Sequence, residues 1–343
     1  MLRLLIIRFS ALGDVAMTVP VVHSLARQHR QLRITVLTKA ACAPLYSFAP
    51  ANVEVVGVQM SDYKGVAGLM RLSNQLRARH FDAVADLHDV LRSKFLRTPF
   101  RLSGKPVAVI EKDRRSKHAL LGHGRDGEAL PSTFSRYADV FRQLGLDVDI
   151  DFQRAFNPRQ EDFSTVNNVV GRKQPGERWI GIAPFAAHAT KVYPLAQMRQ
   201  VAEGLAAEGC RVFLFGAGRS EQSELESWQS ARICSVCGTG LGLRGEMLLM
   251  SRLDVIVAMD SANMHIAALA GTRVLSIWGA THPKMGFIPW GQQPDDFLQD
   301  TTLPCRPCSV YGSETCALGD MRCMAAITPR HIIDRCLQAA PPQ

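Results

Sequence analysis

The chain has 343 residues, 47% apolar and 21% charged, with a formal net charge of +9. That is globular composition, and the length favours two domains over one. No apolar run reaches the roughly 18 residues of a membrane span. Nine cysteines at irregular spacings do not make a disulfide framework in a chain of this size.

The opening "MLRLLIIRFSALGD" has a short apolar run and no small-residue cleavage site. It reads better as a first buried strand than as a signal peptide, so a cytoplasmic protein is expected. Leu4 to Phe9 is that strand, and "SALGDVAMTVPVVHSLARQH" turns helical after it, with Val15, Val19, Val22 and Leu25 at helical spacing. The strands "RITVLTK" and "VEVVGVQ" follow, then the helix "MRLSNQLRARH", the strands "FDAVADLH" and "KPVAVIE", and the helix "TFSRYADVFRQLGLD", stopped at Gly145. From about Asp151 to Glu177 the chain is polar and broken by Pro and Gly, a linker with a short helix. A second alternation then runs "WIGIAPF", "LAQMRQVAEGLAAEG", "RVFLFGA", a polar helix, "ARICSVCG", "RGEMLLMSRL", "DVIVAMD", "SANMHIAALAG" and "RVLSIWGA". Strand–helix alternation implies a parallel sheet with helices on both faces. The expectation is therefore α/β, with two Rossmann-like parallel-sheet domains facing across a cleft, residues 1–160 and 161–343. Open α/β sheets bind ligands at the carboxyl ends of their strands.

Much of the charge lies in one stretch. Between Arg92 and Arg125 stand ten Lys or Arg (Arg92, Lys94, Arg97, Arg101, Lys105, Lys112, Arg114, Arg115, Lys117, Arg125) against Glu111 and Asp113. Such a field attracts phosphate-rich partners: nucleic acid, an anionic membrane surface or a phosphorylated substrate. Only Phe95 and Phe100 interleave the cations, so single-strand stacking is poorly supported and no nucleic-acid partner is expected. The alternative is a solvated basic face.

Three stretches carry candidate chemistry. In "RFSALGDVAMTVP", Ser10, Ala11 and Gly13 keep the loop after the first strand small, and Asp14 stands at or near a helix start. It is either an ordinary helix cap or a general base for a hydroxyl proton. The loop lacks G-x-G-x-x-G, and the chain lacks G-x-x-x-x-G-K-[ST], which argues against a dinucleotide site and a P-loop. In "APFAAHATKVYP", Thr190 and Lys191 lie between a strand and the helix that starts near Pro194. Lys191 there could neutralise a diphosphate, or be a solvated lysine. In "MDSANMHIAALAGTRVLSIWGATHP", a strand breaks at Asp260-Ser261-Ala262-Asn263 and a helix begins, with His265 in its first turn. Its unbonded backbone N–H groups form an anion site, and Gly279, Ala280 and Thr281 keep the neighbouring loop small.

With "LFGAGRSEQSE" and the late "CRPC…CALGDMRCM", these stretches together resemble glycosyltransferase family 9, the ADP-heptose lipopolysaccharide heptosyltransferases, over nearly the whole chain. The resemblance implies a GT-B fold and an inverting transfer of heptose from ADP-heptose to the lipopolysaccharide inner core. It places the catalytic base at Asp14, with Lys191 as the second catalytic group. Donor contacts fall at Thr190, Lys191 and the turn Asp260, Ser261, Ala262, Asn263, Met264 and His265, with a nucleoside contact near Glu221. The acceptor is a phosphorylated lipid A-core sugar, for which Ser10, Gly13, Arg92, Lys94, Arg114 and Arg115 are the candidate residues. Domain 1–160 is thus the acceptor domain and 161–343 the donor domain, the last helix being a candidate to pack back on the first. A lipid-linked acceptor implies peripheral contact with the cytoplasmic face of the inner membrane. No cofactor or catalytic metal is expected.

The family's Asp-Ser-Gly-Pro-Met-His turn carries Ala262 and Asn263 here, its Gly-Pro-Thr-Asp-Pro reads "GATHP" with His282, and its Lys-Arg-Trp-Pro reads "KVYP". Competing readings are a nucleotide-sugar epimerase of the same fold and a non-catalytic sugar-nucleotide-binding protein. Cys305, Cys308, Cys316 and Cys323 are spaced for a structural zinc, for buried thiols or for a local disulfide.

Overall fold

The computed structural model describes residues 2–124 and 126–339. The chain divides into two compact units, Met1–Lys112 with Ser132–Ala155, and Asp113–Pro131 with Phe156–Gln343.

In the first unit, β1 (Arg3–Ile7) leads into α1 (Leu12–Ala16) and α2 (Thr18–Gln28). There follow β2 (Arg33–Lys39), β3 (Val53–Val58), α3 (Gly65–Arg77), β4 (Ala83–Asp86), α4 (Leu91–Leu102) and β5 (Val107–Val109). After the short α5 (Arg114–Ala119), which belongs to the second unit, α6 (Thr133–Arg142) completes the first. The five strands form a parallel sheet in the order β3-β2-β1-β4-β5, with Ile6 beside Val36 on one side and Ala85 on the other. Leu5, Ile7, Leu72, Leu76, Leu96 and Phe100 meet in one core. Each such side chain, fully buried, contributes about 1.5–3 kcal/mol.

The second unit contains α7 (Ser164–Val170), β6 (Trp179–Ala183), α8 (Leu195–Ala207), β7 (Arg211–Leu214), α9 (Gly218–Glu226) and β8 (Ile233–Ser235). It continues through α10 (Gly242–Met250), β9 (Val255–Met259), α11 (Ala262–Leu269), β10 (Val274–Ile277), β11 (Phe297–Leu298), α12 (Arg322–Ala325) and α13 (Pro329–Gln338). Its six-stranded parallel sheet has the order β11-β10-β9-β6-β7-β8.

Both strand orders reverse direction once. The chain builds outward from β1 through β2 and β3, then returns to lay β4 on the other side of β1. It does the same from β6 through β7 and β8 before placing β9. At such a switch point the loops leaving two adjacent strands part, and a crevice opens at their carboxyl ends. Asp14 follows β1, Lys191 follows β6, and Asp260 follows β9.

The boundary expected near residue 160 is more involved. Residues 113–131 pack with the later part of the chain because Leu120 is buried against Met285 and Val310. The Gly122 and Gly124 amides donate to the Pro307 and Arg306 carbonyls at 2.8 and 3.0 Å. The last helix packs within the second unit: Ile332, Ile333 and Cys336 of α13 share a core with Met198, Val201 and Leu205 of α8. Among the described residues no helix is long and apolar enough to cross a membrane.

Candidate active site

At the switch point of the first unit, Asp14 is the third residue of α1. Its Oδ2 accepts the Ala11 amide at 3.0 Å, so the carboxylate does cap the helix start. The same oxygen pairs with Arg8 Nη2 at 2.7 Å. Arg8 is 7% exposed, and its Nη1 donates to the Leu87 carbonyl at 2.7 Å. Asp14 Oδ1 takes no hydrogen bond among the described residues, and the side chain keeps 31% of its surface. One oxygen is committed to structure and the other is available to a ligand.

At the end of β4, the buried Asp86 carboxylate accepts the His88 and Asp89 amides at 2.9 Å each and Arg97 Nη1 at 2.5 Å. His88 Nδ1 accepts the Phe9 amide at 3.3 Å, which leaves the ring hydrogen on Nε2. Burial, then the Arg8 charge, lowers the His88 pKa to about 4, so it is a neutral donor at physiological pH. Arg8, Asp86, His88 and Arg97 carry no signal in one sequence. Their roles come from the β1–β4 pairing, which brings two distant loops together. Ser10 is half-buried in the loop, and Gly13 lies in the first turn of α1 rather than in the loop itself.

In the second unit, Lys191 Nζ lies 2.9 Å from Asp260 Oδ2, and Thr281 Oγ1 donates to that oxygen at 2.7 Å. Lys191 is 13% exposed, so the solvated-lysine alternative is not what the fold shows. Its stem passes Gly312, where an added Cβ would lie 2.7 Å from Lys191 Cδ and where φ is +96°. Thr190 is 1% exposed, and its hydroxyl exchanges hydrogen bonds with Ser313, donating to the carbonyl and accepting the amide at 2.8 Å each. It braces the loop that carries Lys191, and its own oxygen is already engaged.

The start of α11 is the stretch expected to hold an anion. Ser261 is the N-cap residue, yet no side chain caps this helix. Asp260 is turned to Lys191 and Thr281, and the buried Ser261 Oγ has no partner. The first-turn amides therefore have no side-chain acceptor among the described residues, an arrangement that can accept an anion. Ala262 and Asn263 are half-exposed, while Met264 is fully buried and His265 nearly so. Met264 thus brings its backbone amide to the turn, and its side chain belongs to the core.

The small residues of the next loop serve a different purpose from the one expected. An added Cβ at Gly279 would lie 2.8 Å from the Thr190 carbonyl and 2.4 Å from Met324 Cε. The space is already filled by the Lys191 loop, which the Ala280 amide joins at 3.3 Å through the Thr190 carbonyl. His282 Nδ1 accepts the Lys284 amide at 3.1 Å, and burial, then Arg306 and Lys284, lowers its pKa to about 4. It borders a polar cavity of about 310 Å³ shared with Gly124, Asp126, Lys284, Gln299 and Thr301.

Glu221 lies in the first turn of α9 and accepts the Ala217 amide through Oε2 at 2.7 Å. Its second oxygen can take a hydroxyl. Glu246, unremarked in the sequence, is half-buried on α10, and burial raises its pKa to about 7.

The basic stretch is not one face of the first domain. Arg92, Lys94 and Arg101 are exposed on α4 of the first unit, while the exposed Arg114 and Arg115 and the buried Lys117 belong to the second. Arg97 binds Asp86 and Asp89, Lys105 pairs with Asp82, and Lys117 lies over the Phe287 ring, so these are structural cations. Arg125 lies outside the described residues. All nine cysteines are free thiols, and among the described residues no His, Cys, Asp and Glu gather in a metal-holding group.

Two Rossmann-like parallel sheets, each with its polar residues gathered where the strand order reverses, make up the GT-B architecture. The family model of glycosyltransferase family 9 (heptosyltransferase) matches residues 69–317. The chain belongs to that family and is a glycosyltransferase. Lipopolysaccharide heptosyltransferase 1 of Pseudomonas aeruginosa is 25% identical to it over 320 residues, 90% of this chain and 86% of the relative. The structure of E. coli ADP-heptose lipopolysaccharide heptosyltransferase II matches with a TM-score of 0.69 at 21% identity, covering 98% of this chain and 99% of that one. E. coli heptosyltransferase WaaC with ADP matches with a TM-score of 0.69 at 16% identity, covering 99% and 100%. These structural likenesses establish the fold.

Proposed function

We propose that this glycosyltransferase transfers heptose from ADP-heptose to a phosphorylated inner-core sugar of lipopolysaccharide, with inversion at the anomeric carbon. The relatives are named for lipopolysaccharide heptosyl transfer, and one structural neighbour holds ADP. The observation that carries the reading is the uncapped start of α11 beside the Lys191–Asp260 pair. A diphosphate seated there meets backbone amides and one fixed ammonium group.

In the reaction, the acceptor hydroxyl oxygen attacks the anomeric carbon as the bond from that carbon to the diphosphate oxygen breaks. Asp14 Oδ1 takes the hydroxyl proton, and ADP leaves with its charge held by Lys191 and the α11 amides. Glu221 accepts a ribose hydroxyl, and Thr190 keeps Lys191 in place. Ser10, Gly13 and the exposed Arg92, Lys94, Arg114 and Arg115 are assigned to the phosphorylated acceptor. A lipid-linked acceptor places the chain at the cytoplasmic face of the inner membrane.

Lys191→Ala is expected to weaken ADP binding by about 1.5–3 kcal/mol, the worth of one charge-assisted hydrogen bond. Calorimetry on the folded variant checks this, and unchanged ADP affinity would remove Lys191 from the donor site.

A further inference from the structure

The strand β9 is bracketed by two aspartates, and each is paired with a lysine. Asp260, at its carboxyl end, pairs with Lys191, and Asp254, at its amino end, pairs with Lys173 Nζ at 2.9 Å. A five-residue strand separates the two pairs by about 17 Å, so the second pair is not part of the donor site. It borders a cavity of about 550 Å³ lined by Asn167, Arg172, Lys173 and Arg252.

The charges around this cavity do not balance. Asp254 is saturated, with Lys173 on both oxygens at 2.9 Å and the Trp179 amide on Oδ2 at 2.7 Å. Arg172 and Arg252 have no carboxylate partner among the described residues. Arg252 is nonetheless held in place: its guanidinium stacks 3.8 Å above the Phe163 ring, and Nη1 donates to Asn167 Oδ1 at 2.6 Å. Burial, then the charge of Arg172, lowers the Arg252 pKa, so a second cation adds to the positive field at the cavity. Two guanidinium groups, one fixed and one exposed, offer forked donors that match the oxygens of a phosphate group.

We infer that this cavity, at the amino ends of β6 and β9, is a second anion site that binds a phosphate group, separate from the donor diphosphate site. The phosphate belongs either to a soluble compound or to a lipid headgroup. The inference is independent of the donor assignment, because its residues lie at the amino ends of the strands and the donor residues at the carboxyl ends.

The test uses the full chain in a Lys191→Ala background, which removes the donor-site ammonium. Inorganic pyrophosphate is titrated by calorimetry, and flotation with phosphatidylglycerol vesicles is run in parallel. Arg172→Gln alters only an exposed side chain, Arg252→Lys keeps the charge and loses the fork, and Arg159→Gln is a charge-matched control on the same unit. We expect either variant to weaken pyrophosphate binding about tenfold, the loss of one charge-assisted bond, and the control to leave it unchanged. Weakened vesicle binding with the same variants, and no pyrophosphate binding in the parent, would identify the source as a lipid headgroup. Binding that responds equally to all three substitutions, or to none, would overturn the proposal.

Discussion

At Asp14 the observed cap and the proposed base are one side chain, each role using a different oxygen. Oδ2 holds the Ala11 amide and Arg8, and Oδ1 is open. Asp14→Asn therefore removes both a proton acceptor and the counter-ion of a nearly buried guanidinium. A rate loss of about 10²–10⁴-fold is expected from the missing base, together with a loss of stability on the order of 1–3 kcal/mol from the orphaned charge. Arg8→Gln separates the two effects, since it removes the ion pair and keeps the carboxylate. Its melting temperature should fall comparably, while its single-turnover rate should exceed that of Asp14→Asn by at least about tenfold. Equal rates in the two variants would make Asp14 a cap and nothing more.

At the scale of elements, the uncapped start of α11 costs stability, and the proposed donor site gives it a use. Ser261→Asp supplies the missing cap and a negative charge next to the amides. Thermal denaturation should show a gain of about 1 kcal/mol, and ADP affinity should fall because the new carboxylate occupies the anion's place. A gain in ADP affinity would contradict the site. The elements differ in how readily the sequence shows them. The buried strands were legible because a parallel sheet covered on both faces makes near-continuous apolar runs such as those of β1, β6 and β9. Helix α4 was not, because Arg92, Lys94, Arg97, Arg101 and Pro99 obscure the short apolar face of Leu96 and Phe100. The two-residue β11 has no periodicity to detect. Local turns announced Asp14, Lys191 and Ser261, whereas Arg8, His88, Thr281 and Ser313 acquire roles only through contacts between segments far apart in sequence.

At the scale of the whole molecule, pH acts through groups that the fold holds away from their ordinary ionisation. Glu246 is raised to about 7 by burial, so the fold favours its protonated form. That contribution is present below the unfolded value of about 4.3 and is lost as pH rises through 7. Glu246→Gln should therefore melt higher than the parent at pH 8, and the difference should vanish near pH 4. His23, lowered to about 4 by burial and then by Arg27, acts in the opposite sense, since the unfolded chain binds its proton first as pH falls below about 6.5. A melting difference for Glu246→Gln that is the same at both pH values would contradict the buried-carboxyl reading. The most direct measurement of function supplies the purified chain with ADP-heptose, with and without a phosphorylated lipid A-core acceptor, and follows ADP release and the anomeric configuration of the product. Acceptor-dependent release of ADP with an inverted glycosidic bond is the expected result. Conversion of the nucleotide sugar without acceptor, or a product of retained configuration, would contradict heptosyl transfer by a single inverting displacement.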